Sequence, residues 1–173
     1  MFKKGFDYAD PRYRTLFANY GLASLKAQVI EKQLSVLIAT IDHLGIMTFD
    51  VLGFRLILDQ DKRTMGNLIR ILTKKIVIPS ELQGTLETTL EERNYLIHRF
   101  FITKGLELGL IDSIPVMNNE VISIGNNLGK TIEMLDHVME DIQSKVDIPM
   151  LEIEEKAKLL LSLMPANKNK KLV

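Results

Sequence analysis

Apolar residues recur at three- and four-residue spacing from Leu22 through Leu25, Val29, Leu34, Leu37 and Ile41 to Leu44, the rhythm a helix shows when one face is buried. This spacing predicts a long helix over 22–46, stopping near Gly45. Gly53 and the polar run from Asp59 to Arg63 interrupt the next stretch. Leu68, Ile69, Leu72 and Ile76 then restore the rhythm, so a short helix or turn is expected first and a helix over 61–75 after it. Ile78-Pro79 marks a boundary, because the residue before a proline is pushed out of the helical region. The following helix is predicted over 79–104. Gly105, Gly109, Asp112, Ser113 and Pro115 read as a loop. A helix over 118–146 carries Ile122, Leu128, Ile132, Leu135, Val138 and Ile142 on its apolar side, with Gly125 and Gly129 weakening its first half. A last helix, over 150–163, lies between Pro149 and Pro165.

No strand-like alternation and no repeat of solenoid length occurs, and the connections are short. The expected architecture is therefore all-α, an antiparallel bundle of about five helices. Its single domain is expected over 21–165, after an N-terminal segment 1–20 and before a tail, 166–173, whose polar composition predicts disorder. A chain of 173 residues supports one core of useful size rather than two. With 22 basic and 22 acidic residues, net charge offers no general attraction for nucleic acid or an anionic membrane, so any polyanion site must be local. Cysteine is absent, which excludes thiolate nucleophiles, disulfides and Cys-based zinc sites and suits a reducing cytoplasm. The N-terminus lacks the apolar core of a secretion signal, and no stretch approaches the roughly 20 uninterrupted apolar residues that span a bilayer. A cytoplasmic protein with no membrane partner is expected.

One segment resists explanation by helix-making alone. On a helical projection Leu82, Leu86, Leu90, Ile97 and Phe100 form one apolar arc, and Arg93 projects from its middle. A guanidinium held against a core needs a counter-ion, hydrogen bonds or an opening to a cleft. Asn94 and His98, four residues apart, share a face, whereas Arg93 and His98 diverge by about 140° on an ideal helix. The expectation is that one chain cannot close an Arg–His pair and that a homodimer joins two such helices into one polar groove. A histidine able to exchange a proton near neutrality, beside an arginine able to hold a phosphate, is sufficient in kind to cleave RNA by attack of its own 2′-hydroxyl. Such a reaction requires neither a metal nor a protein nucleophile.

The run Arg93-Asn94-Tyr95-Leu96-Ile97-His98-Arg99-Phe100 resembles the R-x-x-x-x-H-x-(Y/F) signature of HEPN domains, with a polar residue directly after the arginine. HEPN proteins are small helical bundles, commonly dimeric, and many are metal-independent endoribonucleases of toxin–antitoxin and phage-defence systems. The resemblance implies that Arg93, Asn94 and His98 are catalytic, with His98 as general acid or base and Arg93 holding the phosphate. It also implies RNA as substrate, an antitoxin or regulatory protein as partner, and no cofactor. Phe100 stands where many members have tyrosine. HEPN-like domains without nuclease activity exist, so the alternative is a non-catalytic interaction module in which Arg93 and His98 are paired to carboxylates such as Glu31, Glu87 or Glu91. Gln28 and Glu31 sit beside the apolar stripe of the first helix and are candidates to approach Arg93. Arg63, Asn67, Arg70 and Lys74 share one side of their helix and could follow an RNA backbone, so Arg63, Arg70, Lys74 and the motif's Arg99 are the candidate substrate-binding cations. His43, His98 and His137 lie on three expected helices, two of them after aspartates, yet neither Glu-x-x-His nor His-x-x-x-His occurs, and no metal site is assigned.

Overall fold

A computed structural model describes residues 9–45, 64–75 and 77–145. These form five helices: α1 (Pro11–His43), α2 (Met65–Lys75), α3 (Ser80–His98), the single-turn α4 (Phe100–Thr103) and α5 (Ile114–Lys145). Two 3-10 turns, Glu107–Gly109 and Ile111–Ser113, join α4 to α5, and no strand occurs among the described residues. The all-α expectation holds. The expected helix over 150–163, the short element before residue 61 and the tail lie outside the described residues.

The first helix begins eleven residues earlier than its apolar rhythm indicates. Asp10 caps it, its carboxylate accepting from the Arg12 N–H at 2.8 Å, and Pro11 supplies a preset φ at the first position. Residues 11–20, set apart by sequence as an N-terminal segment, therefore belong to the bundle, and Tyr13 and Leu16 are buried in its core. At the other end Leu44 and Gly45 return their N–H groups to Thr40 and Asp42. Gly45 adopts φ +69°, a left-handed turn that glycine makes without a Cβ clash.

Among the described residues the most extensive packing joins α1 to α5, and the two helices run parallel. Asn19 donates to Asn118, the Lys26 ammonium to the Gly125 carbonyl and Gln33 to the Ile132 carbonyl. Each pair is 99 residues apart in sequence. Both helices advance by seven residues between contacts, the register of helices crossing at a shallow angle. At Gly125 the two helices lie within contact range: a Cβ there would meet the Ala23 methyl at 3.5 Å, an ordinary van der Waals separation. The expected all-antiparallel arrangement is thus wrong for this pair, because the chain returns through α2 and α3 before laying down α5. Helix α3 is the antiparallel member: Tyr95 meets Glu120, Glu92 meets Asn127 and Thr89 meets Thr131, so one number falls as the other rises.

Leu34, Leu37 and Ile38 of α1, Leu68 and Leu72 of α2, Leu86 and Leu96 of α3, and Leu128 of α5 fill the core. Thr89 and Thr131 are buried within it, 2.7 Å apart. Thr131 also donates to the Asn127 carbonyl, which leaves Thr89 as donor in the pair and both hydroxyls satisfied.

Candidate functional site

Helix α3 ends at His98, six residues short of the predicted end. Arg99 has left the helical region at φ −125°, and Phe100 opens α4 and is fully buried. Its ring meets Tyr20, Tyr95 and Phe101 at centroid distances of 5.0–6.0 Å. That anchor directs His98 and Arg99 outward. Around the motif, alternate faces have different partners. Glu92 and Tyr95 bond α5, while Arg93 reaches Glu31 of α1 and draws Asn94 and His98 to itself.

The Arg93 guanidinium, with its side chain 20% exposed, binds three groups. Nη2 donates to Glu31 Oε1 at 3.1 Å, and Nη1 lies 3.2 Å from Asn94 Oδ1 and 3.0 Å from His98 Nε2. A guanidinium only donates, so His98 Nε2 accepts and the ring proton sits on Nδ1. The expectation that Arg93 and His98 require two chains is corrected here. Their Cβ directions diverge on an ideal helix, but the five-residue rise is only about 7.5 Å, which a fully extended arginine spans. Glu31 Oε1 also receives the Met65 N–H at 3.4 Å, so one carboxylate ties α1, the start of α2 and the arginine of α3. Of the three carboxylates considered from sequence, Glu31 is the partner; Glu87 is bonded by Gln83 and Glu91 is exposed.

Beside this cluster lies an open cleft of about 630 Å³, walled by Ser24, Gln28, Glu31 and Lys32 of α1 and by Arg93 and Ile97 of α3. Gln28 and Arg93 line this same cleft, as the sequence suggested. Arg70, Lys74 and Arg99 are exposed, and none lines the cleft. Arg70 instead bonds Asn67 at 3.4 Å, and α2 carries Lys74 about 13.5 Å along its axis from Met65. Arg63 lies outside the described residues. Lys32 and Ser24 were not singled out from sequence, although Ser24, Gln28 and Lys32 follow one another at four-residue steps and so share a face of α1. No group of three or more His, Asp or Glu residues suited to a metal ion occurs among the described residues, and His137 lies against Glu140 at 3.4 Å.

On the opposite face of α3, Glu92 Oε1 accepts from Asn127 at 2.6 Å, while its second oxygen is buried without a partner. Burial raises the Glu92 carboxyl above the ordinary range, only partly countered by Asn127. Tyr95 is raised as well, by burial first and then by its bond to Glu120. Compared with family models, curated proteins and solved structures, the chain matches none.

Proposed function

We propose that the protein is a metal-independent endoribonuclease of HEPN type, acting as a toxin or defence protein in the cytoplasm. The observation that carries this reading is the convergence of Asn94 and His98 on Arg93, with Nη1 and Nε2 3.0 Å apart, where Arg93 itself lines an open cleft. A scissile phosphate entering the cleft competes for the Arg93 N–H groups. Drawing Nη1 onto a phosphate oxygen releases the lone pair of His98 Nε2, which then accepts the 2′-hydroxyl proton. The 2′-oxygen bonds to phosphorus, the bond to the 5′-oxygen breaks, and the leaving oxygen takes a proton from water, with His98 afterwards returning its proton to solvent. The products are a 2′,3′-cyclic phosphate and a 5′-hydroxyl end. Arg93 stabilises the charge gathered on phosphorus, Glu31 holds Arg93 in place, and Asn94 orients it.

A homodimer accords with the exposed apolar side chains of Ile102, Leu106 and Leu110 after the motif, which lie outside the cleft and which a second copy would cover. An antitoxin or other regulatory protein is the partner that a toxin role requires. The second reading, a non-catalytic interaction module, is favoured by the Glu31–Arg93 ion pair, since a guanidinium already paired is structurally accounted for. Cleavage of a mixed RNA pool by purified protein, with and without chelator, separates the two. His98→Ala and Arg93→Ala are expected to reduce cleavage by about 10²–10⁴-fold while circular dichroism still reports the helical fold. RNA left intact by the wild-type protein would refute the nuclease.

A further inference from the structure

The cleft contains binding groups that the chemistry above does not use. Lys32 lines it and makes no ion pair or hydrogen bond among the described residues. Its neighbour Lys26 is committed to the Gly125 carbonyl, and Lys104 to Glu107 and Glu120. Ser24, two turns before Lys32 on the same face, has a buried hydroxyl with no partner; it does not take the carbonyl four residues back that a helical serine commonly uses. A buried hydroxyl left unpaired is costly, and because Ser24 lines the cleft, a change of its χ1 rotamer would present the hydroxyl to a ligand there. Gln28 lies between them, and Leu25, Val29 and Ile97 supply an apolar wall. Two cations against one carboxylate leave the lining positive, although the chain as a whole is neutral. The volume, about 630 Å³, lies within the range of small-molecule sites.

We propose that this cleft is a subsite for one nucleotide of single-stranded RNA next to the scissile bond, an inference that rests on the endoribonuclease reading. Lys32 binds the neighbouring phosphate, Ser24 and Gln28 hydrogen-bond the base edge, and Leu25, Val29 and Ile97 pack on the base face. The wall is aliphatic, so the base is selected by hydrogen bonds rather than by aromatic stacking. Lys32 is a binding residue and transfers no proton.

The test uses an RNA oligonucleotide made uncleavable by 2′-O-methylation, with Kd measured by fluorescence anisotropy across a salt series for the full chain. The same preparations are assayed for cleavage of unmodified RNA. Lys32→Ala is expected to weaken binding and to make the slope of log K against log salt shallower by about 0.7, the loss of one phosphate contact on a single strand. Lys130→Ala, exposed on α5 outside the cleft, is expected to leave the slope unchanged. Ser24→Ala and Gln28→Ala are expected to keep the slope but change which base is preferred beside the cut. If wild type cleaves RNA and Lys32→Ala keeps the wild-type slope, the subsite is overturned while the nuclease stands. A Lys32-dependent slope without cleavage overturns the nuclease and, with it, the subsite's place beside a scissile bond, leaving an RNA-binding cleft. Absence of binding by wild type overturns both, and a change of sedimentation coefficient in Lys32→Glu would identify the face as a protein interface and overturn the subsite.

Discussion

Glu31 joins three elements through one carboxylate oxygen, so its removal tests both stability and chemistry. In Glu31→Gln the Arg93 guanidinium, four-fifths buried, loses its counter-charge. The expected cost is about 1–2 kcal/mol, seen as a fall in Tm of roughly 3–6 °C, with RNA cleavage slowed by about 10²-fold as the arginine loses its placement. The need for a partner at Arg93 was legible in the sequence, and Glu31 was one of three candidates. The Arg93–His98 contact was not legible, because the ideal-helix angle describes where side chains start and not how far a guanidinium reaches. Glu92 gives a different readout. Its carboxyl is raised by burial, so protonation relieves a desolvation cost and stability from this group is present at low pH and lost as pH rises through its raised range. Glu92→Gln keeps a carbonyl for Asn127 and removes the buried charge. At neutral pH it is expected to melt at most about 3 °C above wild type, the difference shrinking in acid as Glu92 itself protonates.

Helix α1 carries two apolar stripes, and periodicity alone does not say which faces inward. Leu34, Leu37 and Ile41, taken from the sequence pattern, are buried, whereas Leu22 and Leu25 are 53% and 55% exposed. The core contacts in that stretch belong to Ala23, Ala27 and Ile30. Small residues face inward there, with Ala23 packed opposite Gly125 of α5. A pattern search that weights large residues favours the outer stripe. In thermal denaturation, Leu16→Ala is expected to lose about 2–5 kcal/mol, since Leu16 is fully buried within the segment that sequence separated from the domain. Leu22→Ala is expected to lose less than about 1 kcal/mol. Pro79 was legible as a boundary because it acts locally on the backbone. The break at Arg99 was not, because it follows from seating Phe100 among Tyr20, Tyr95 and Phe101, contacts made from distant parts of the chain.

For the whole molecule, helical class was readable from periodicity, but helix direction was not: short connections suggested antiparallel neighbours, and the widest interface proved parallel. On the dimer proposal, Ile102, Leu106 and Leu110 join two copies, and Leu106→Asp is expected to shift sedimentation from dimer to monomer with the helical signal intact. A monomeric wild type would remove that role. The parallel pair also has a consequence for how the protein is made. On the ribosome, α1 precedes its matching turns on α5 by 99 residues, about 5–20 s of translation at ordinary speeds. Throughout that interval Ala23, Ala27 and their neighbours await a surface not yet synthesised, so the nascent chain offers a holdase chaperone an apolar flank that the finished bundle hides.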